Sequence, residues 1–307
     1  MRPRRATVLV GAPLLWGACG TATAPESWRD WYDQGSPYDV EEPIAFTDQN
    51  YDFTGPDEIQ DLPIPGDFET WFAEGDAPPP DACDAWSVHP GLPAEISGIV
   101  TIHPRYYIKV SGCLPADDRT IDSDEKYYGS YFIQDATGGF FVLGDSKVAH
   151  FDMGDRVTIK VRGIKESFDS VMISAHDVLE IDRGPEPIYY RPVSGRLLGP
   201  EDIAEVVRVE GVVAAEASGF GEVYLCTGAD PDTTLEPDPA RGGDPVPACA
   251  HLGVTDPPWF KLGIDVELQR RGVTFDPGSH LSVTGPVILS FGDHQIVVMR
   301  IGQIEVL

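Results

Sequence analysis

Basic residues are scarce in this chain. Its 307 residues include 22 Lys and Arg against 50 Asp and Glu, which gives a formal net charge of −28 at pH 7. Nucleic-acid binding depends mainly on Lys and Arg side chains that displace counterions from phosphates. The composition therefore disfavours nucleic acid as a partner, although it leaves room for a local basic patch.

Sequence signatures of catalysis and of metal binding are also missing. The chain has no Gly-x-Ser-x-Gly, His-Glu-x-x-His or phosphate-binding loop, and no Cys-x-x-Cys or paired His that a zinc site requires. Acidic residues between 228 and 258 lack the spacing that places oxygens around calcium. We therefore predict a protein that is not an enzyme and holds no cofactor or metal.

Long apolar runs are few, and the N-terminal one is short. Three arginines within residues 1–5 precede the run VLVGAPLLW at 8–16 and two small residues at 17–18. The run is too short to cross a bilayer as a mature helix, so we predict that residues 1–18 are an export signal.

The residues around the first cysteine carry a resemblance. Leu15-Trp16-Gly17-Ala18-Cys19 resembles a bacterial lipobox, although Trp16 stands where the family usually has Leu. The resemblance implies that Cys19 is lipidated and anchors the mature chain to a membrane, and Gly20 after it implies the outer membrane. Secretion or a periplasmic location, with cleavage after Ala24, is the alternative.

Four cysteines remain in the mature chain. An even number in an exported protein predicts disulfides, and three connectivities are open. The repeat described below favours one bond in each half, each contributing about 3 kcal/mol to stability. The predicted pairs are Cys83–Cys113 and Cys226–Cys249.

The segment 19–82 is strongly acidic. Eighteen Asp and Glu stand against one Arg between Gly20 and Glu95, and the segment contains Pro78-Pro79-Pro80. This composition predicts a mostly irregular, extended tether. Its many aromatic residues predict that parts of it dock onto a folded domain, with 68–72 as a one-turn helix.

The rest of the chain contains an internal duplication. Residues 151–181 and 275–306 share Phe-Asp-x-Gly, an alternating strand that ends in Gly, and a closing apolar strand, and Phe141-Val-Leu-Gly144 has its counterpart in Phe260-Lys-Leu-Gly263. The duplication predicts two modules, 83–183 and 201–307. A linker at 184–200 with four prolines predicts a fixed relative orientation.

Each module contains five predicted strands. The first module has them at 95–110, 127–134, 140–143, 156–162 and 171–181; the second has them at 206–217, 222–227, 259–268, 281–285 and in the stretch to Leu307. A long excursion after the first strand and a break after the third match the five-stranded Greek-key barrel of the OB-fold. The predicted fold class is all-β: two tandem OB-fold-like barrels after an irregular acidic tail.

Two stretches of the first module also resemble a known group. YFIQDATGGFFVLG followed by MGDRVTIKVRGIKESFD resembles the OB-fold modules of bacterial exported nucleases and surface lipoproteins. The resemblance covers both modules, and it implies the barrel fold more firmly than any activity.

Candidate ligand-binding residues follow from that fold. OB barrels bind ligands on the face of strands two and three, where stacking aromatics would lie, although burial in the core is the favoured interpretation. A basic strand face is the second candidate, for an anion. The aromatic candidates are Tyr127, Tyr128, Tyr131, Phe132 and Phe140, and the basic ones are Arg156, Lys160 and Arg162.

We thus predict a monomeric, lipid-anchored envelope protein. Its leading function is non-enzymatic binding, or a structural role, toward an unknown envelope protein or glycan. The alternative is an accessory protein that binds single-stranded nucleic acid or an oligosaccharide, and a hydrolase with an unrecognised site is less favoured.

Overall fold

The structure is a computed structural model. It describes residues 44–66, 69–76, 86–102, 106–109, 126–143, 151–167, 170–214, 222–227, 235–237, 245–247, 249, 259–264, 268, 275–290 and 292–307. Strands account for most of these residues, together with short 3-10 turns at Ile59–Asp61, Pro200–Asp202 and Ile301–Gln303. The fold is all-β, as predicted.

The first module is a closed barrel. The tail supplies β1 (Phe46–Thr47) and β2 (Thr70–Phe72). The module supplies β3 (Trp86–Val88), β4 (Ala94–Val100), β5 (Tyr106–Lys109), β6 (Lys126–Gln134), β7 (Gly139–Val142), β8 (Arg156–Ser167) and β9 (Ser170–Asp182). Hydrogen-bonded neighbours run β4–β6–β7–β9–β8 and return to β4. Only β7 and β9 pair in parallel in this ring. A five-stranded Greek-key ring is the OB-fold architecture.

The second module repeats this ring. The linker supplies β10 (Ile188–Tyr189) and β11 (Arg191–Pro192); the module supplies β12 (Val206–Val213), β13 (Glu222–Cys226), β14 (Leu235–Pro237), β15 (Pro245–Pro247), β16 (Trp259–Ile264), β17 (His280–Ser290), β18 (Asp293–Val298) and β19 (Ile304–Val306). The ring runs β12–β13–β16–β18–β17 and back to β12, with β16 and β18 parallel. A small hairpin, β14–β15, lies in the insertion between β13 and β16.

The predicted equivalence of the two modules holds strand by strand. Val157 on β8 lies opposite Gly98 on β4, and Val283 on β17 lies opposite Val209 on β12. Both residues therefore sit in the fourth strand of their ring, next to the first. The alternation predicted for β8 is confirmed, since its apolar residues at 157, 159 and 161 are buried and the polar ones between them are half-buried.

The closing strand differs between the barrels. β9 is continuous over 13 residues, whereas its counterpart is split into β18 and β19 by the turn Ile301–Gln303. The buried Gln303 side chain bridges the split: its Oε1 accepts from the backbone N–H of Met299 (2.8 Å) and Arg300 (3.0 Å), and its Nε2 donates to the Thr284 and Val297 carbonyls, both at 3.0 Å. Side-chain hydrogen bonds thus replace the interrupted ladder.

The described parts of the predicted tether, 44–66 and 69–76, pack on the first barrel and the linker. β2 pairs antiparallel with β8, and the predicted helical turn is wrong for residues 70–72, which are strand. A strand is favoured here because Phe72 packs on Gly163, a position where an added side chain would collide with its ring. Ile59 and Leu62 of the tail are also buried in the core.

The linker is held on both sides. The backbone N–H of Ile188 donates to the Ala45 carbonyl (2.8 Å), and that of Val193 donates to the Arg208 carbonyl (2.9 Å). One apolar cluster also runs from the first barrel into the second, where it includes Ala204, Ile288, Val297 and Met299. The linker and this shared cluster fix the two barrels against each other.

Candidate binding cleft between the two barrels

The aromatic residues predicted to stack on a ligand are mostly core. Tyr131 and Phe132 are fully buried and Phe140 is nearly so, and all three belong to the cluster that continues into the second barrel. Burial raises the pKa of the Tyr131 hydroxyl far above its usual value, and this hydroxyl lies 3.1 Å from His176 Nε2. These three rings have no open face for a base or sugar. The side chains of Tyr127 and Tyr128 lie outside the described part, and their ligand role stays a prediction.

The predicted basic face is compensated by acidic neighbours. Arg156 Nη2 lies 2.8 Å from Glu186 Oε1, and its guanidinium lies 3.7 Å from the centre of the Phe53 ring. Arg162 is mostly buried, with its Nε 3.2 Å from Asp177 Oδ2.

Lys160 completes this face. It is half-buried and lies on β8 between Glu95 on β4 and Asp177 on β9, which are its cross-strand neighbours. Opposite charges at such positions attract each other. The face therefore has little excess positive charge to attract an anion.

The corresponding face of the second barrel carries a disulfide. Cys226 on β13 forms a disulfide with Cys249 of the insertion, with the two Cα atoms 6.0 Å apart. This predicted bond is confirmed. Both sulfurs pack with Tyr224 and Trp259 in one cluster. The other predicted residues, Cys19, Cys83 and Cys113, lie outside the described ranges, as does the export signal at 1–18.

An open concavity remains where tail, linker and both barrels meet. This cleft has a volume of about 340 Å³, and its walls come from the β6–β7 turn, the linker strands and the entry to the second barrel. Three carboxylates face one guanidinium there, among amide and hydroxyl groups. Its lining residues are Asn50, Gln134, Asp135, Ala136, Thr137, Gly138, Tyr189, Arg191, Glu201 and Glu205.

The turn at one wall is built by Asp135. Its Oδ1 accepts hydrogen bonds from the Thr137 N–H (2.7 Å), the Thr137 hydroxyl (2.6 Å) and the Gly138 N–H (3.1 Å). Such local bonds are why Asp favours tight turns. From the tail, Asn50 Nδ2 donates to the Ala136 carbonyl at 3.1 Å. This wall is therefore rigid, and it is the turn that joins the strands predicted at 127–134 and 140–143.

Glu205 reaches from the second barrel to the first. Ala204 before it has a left-handed backbone (φ 64°), and its carbonyl lies so close to Gly139 that a side chain there would collide with it. The Glu205 carboxylate accepts from Gln134 Nε2 (3.1 Å) and from the Gly139 N–H. Burial raises the pKa of Glu205, partly offset by the charge of Arg191 and by the Gly139 hydrogen bond.

One buried polar atom beside the cleft has no hydrogen-bond partner among the described residues. Gln134 is 1% exposed, and while its Nε2 donates to Glu205, its Oε1 makes no hydrogen bond to any part of the chain that the structure describes. A buried acceptor without a partner costs stability, so native proteins rarely keep one without a reason.

Asp202 fixes the opposite wall. This fully buried carboxylate accepts from Arg191 Nη2 (2.6 Å), from Arg196 Nη1 and Nη2 (both 2.7 Å) and from the Gly199 N–H (2.8 Å). Burial alone would raise the pKa of Asp202, but the Arg196 and Gly199 hydrogen bonds and the charges of both arginines outweigh it, so the pKa is lowered. Arg191 is thereby positioned at the edge of the cleft.

The cleft offers hydrogen-bonding groups to a ligand. A carboxylate, an amide oxygen and a hydroxyl-bearing wall provide acceptors for a neutral polar or cationic group. Among the described residues, no three His, Cys, Asp or Glu side chains are grouped to hold a metal ion. No helix within these ranges is long and apolar enough to span a membrane.

Comparisons with known proteins add little to this geometry. No protein-family model matches the chain, and no curated protein matches it in sequence. Among solved structures it is similar to the tetrameric p202 HIN2 (12% identity, TM-score 0.26), covering 70% of this chain and 94% of that one. It is also similar to fission yeast Pot1 with ssDNA (10% identity, TM-score 0.27), covering 70% and 83%. At these TM-scores neither likeness bears on function, and the barrel assignment rests on strand pairing.

The cleft residues were not among the sequence-predicted sites. The turn at 135–139 falls between two predicted strands, and the proline-rich linker falls between the two predicted modules. Such connections are where binding residues concentrate. Nothing in the sequence indicates that Gln134, Arg191 and Glu205 meet, because they lie in three segments separated by up to 71 residues.

Proposed function

We propose that this chain is an exported, lipid-anchored protein of the bacterial envelope that acts without catalysis, by binding a glycan or protein partner in the inter-barrel cleft. The observation that carries the proposal is the open cleft of about 340 Å³, whose lining includes the desolvated Glu205 carboxylate and its hydrogen-bond partner Gln134. Pockets of this size commonly hold small ligands.

A glycan fits this lining better than an apolar ligand. Amide, carboxylate, hydroxyl and guanidinium groups converge from Asn50, Thr137, Arg191 and Glu205. Such groups satisfy the many hydroxyls of a sugar by hydrogen bonding. The net acidic character also favours an amino sugar over a sulfated or phosphorylated glycan.

The lipid anchor and the envelope location are supported by sequence alone. The lipobox-like residues 15–19 imply lipidation at Cys19, and the Cys226–Cys249 disulfide accords with an oxidising compartment. Replacing Cys19 with Ser should release the chain from the membrane fraction, with incorporation of labelled fatty acid as the readout. A variant that stays membrane-bound and labelled would remove the anchor from the proposal.

The cleft is tested by binding of the mature chain to envelope glycans and peptidoglycan fragments. Glu205→Gln should weaken binding by about tenfold, since a charged hydrogen bond is lost. Glu210→Gln, an exposed carboxylate on β12, is the matched control and should bind normally. Unchanged binding in Glu205→Gln would reject the cleft as the site.

The nucleic-acid alternative predicts a different result. Retention on single-stranded DNA that falls with salt, and that is lost when Arg156, Lys160 and Arg162 are changed to Ala, would support that alternative instead. The acid–base pairing of these residues leads us to expect no retention.

A further inference from the structure

The second barrel contains a buried lysine between two carboxylates. Lys261 is 5% exposed, and its Nζ lies 2.6 Å from Glu222 Oε1 and 3.2 Å from Asp293 Oδ2. The side chains of Glu222 and Asp293 are themselves only 25% and 9% exposed. Lysines are almost never buried this deeply unless a specific interaction holds them.

The three side chains come from three adjacent strands. Glu222 lies on β13, Lys261 on the neighbouring β16 and Asp293 on the next strand, β18. The backbone of each is fixed by ladder hydrogen bonds, and the Tyr224 ring lies beside the ammonium, 6.0 Å from Nζ. The amine and the Asp293 carboxyl are therefore held together without any movement of the chain.

Burial changes the chemistry open to this pair. In water an ammonium and a carboxylate stay ionised, because hydration stabilises both charges. In a site shielded from water that stabilisation is lost, and condensation to a neutral amide removes two buried charges at once. Because the fold holds the two reacting groups in contact, their reaction is effectively unimolecular.

We propose that Lys261 and Asp293 form an intramolecular isopeptide bond, with Glu222 as the proton carrier. Glu222 Oε1 takes one proton from the ammonium, and the neutral Nζ attacks the Asp293 carboxyl carbon. The Nζ–C bond forms as one C–O bond of Asp293 breaks. Two of the three ammonium protons leave with that oxygen as water, the third stays on the amide nitrogen, and Glu222 ends as a carboxylate.

The reaction starts from the ion pair. Burial alone would lower the pKa of Lys261, but the Glu222 hydrogen bond and the nearby negative charges outweigh it and raise the pKa. A group that accepts the proton is therefore required, and Glu222 is the closer of the two carboxylates.

The cross-link would join two parallel strands whose linked residues are 32 positions apart. The first barrel has no lysine at the equivalent position. Val142 on β7 corresponds to Lys261 in the repeat, and it pairs with Ile173 on β9. The bond is thus a property of the second barrel alone.

Intact-mass spectrometry of the purified mature chain tests the proposal. The denatured, reduced wild type should be lighter than its sequence by one water molecule, and fragmentation of a protease digest should recover the Lys261 and Asp293 peptides as one branched species. Lys261→Met and Asp293→Ala should restore the full mass. Lys160→Arg, at a half-buried lysine that also faces carboxylates, is the matched control and should keep the water loss.

Glu222→Gln separates the proton carrier from the bond itself. It keeps the side-chain shape and should leave the chain folded, judged by its circular dichroism and by the Cys226–Cys249 disulfide, but without the cross-link. A folded wild type that keeps its full mass overturns the isopeptide bond. Full cross-linking in a folded Glu222→Gln overturns the role of Glu222.

Discussion

The two barrels share one ring of strands but cover its outer surface differently. On the first barrel, the tail strand β2 and the second barrel pack over the sheet, and no described covalent bond holds them. On the second barrel, the insertion is fastened by the Cys226–Cys249 disulfide, and a buried ion cluster ties β13, β16 and β18 together. After a duplication the ring is kept because its alternating pattern specifies it, while the surfaces are free to diverge.

This divergence explains where an open site remains. The face of strands two and three, which OB barrels commonly use for ligands, has Tyr131, Phe132 and Phe140 buried in the first barrel. In the second barrel it carries the Cys226–Cys249 disulfide beside partly buried aromatic rings. The junction between the barrels is instead concave, polar and partly desolvated. The pair, and not either barrel alone, therefore creates the candidate cleft.

The largest effect is expected from removing the packing of the tail on the first barrel. Phe72→Ala deletes a fully buried ring over Gly163 and should lower the free energy of unfolding by about 3–4 kcal/mol. Ile64→Ala, at an exposed tail residue, should have almost no effect. Denaturant unfolding gives the loss, and hydrogen exchange should place it in the first barrel. Equal loss of protection in both barrels would contradict the asymmetry.

The disulfide of the second barrel can be removed without changing the first barrel. Replacing Cys226 and Cys249 with Ser opens a loop with a sequence separation of 23 and should lower the free energy of unfolding by about 3 kcal/mol. Wild type with reductant should show the same loss. Hydrogen exchange in β4 to β9 should not change, and a change there would mean that the insertion supports both barrels.

The junction itself is broken by Asp202→Ala. The change leaves Arg191, Arg196 and the Gly199 N–H without their shared acceptor, and we expect a loss of about 2–3 kcal/mol, moderated because both guanidinium groups stay partly exposed. Glu201→Ala, which removes an exposed partner of Arg196, should cost less than about 0.5 kcal/mol. If both variants lose a similar amount of unfolding free energy, the buried Asp202 carboxylate is not what stabilises the junction.

The smallest effect concerns pH at the same junction. The pKa of Glu205 is raised in the folded chain. As pH rises above the ordinary value of 4.5, Glu205 therefore ionises first in the unfolded chain. The free energy of unfolding of the wild type then falls until the pH has passed the pKa of Glu205 in the folded chain. Glu205→Gln cannot ionise, so its melting temperature relative to wild type should rise by about 2 °C across that window. Thermal melts between about pH 4 and about pH 8 test this. If the melting temperature of Glu205→Gln instead falls relative to wild type as pH rises, folding lowers the pKa of Glu205 and the prediction is wrong.

The sequence predicted the parts of this fold that depend on local pattern. Alternation along 156–162 and the recurring Phe-Asp-x-Gly identified equivalent strands, because inward and outward side chains of a strand follow a period of two. The tail was predicted less well. Thr70 and Phe72 became strand, since the free edge of β8 and the bare surface of Gly163 offered a partner that no local pattern records.

The candidate site was beyond such reasoning. Its aromatic candidates were placed on the expected strands, but whether Phe132 faces water or another domain depends on what packs over it. The sequence predicted that Arg156 and Arg162 belong to a basic face. The fold brings Glu186 of the linker beside Arg156 and Asp177 of β9 beside Arg162.

The sequence by itself determined an acidic chain with two copies of one β-ring, because charge balance and alternation are properties of residue order. Tertiary structure decided which surfaces stay open, since Gln134, Arg191 and Glu205 converge only when the barrels dock. It also decided that Lys261 is enclosed by carboxylates from two other strands. Both outcomes depend on contacts between distant segments, and burial then sets the chemistry of the groups that meet there.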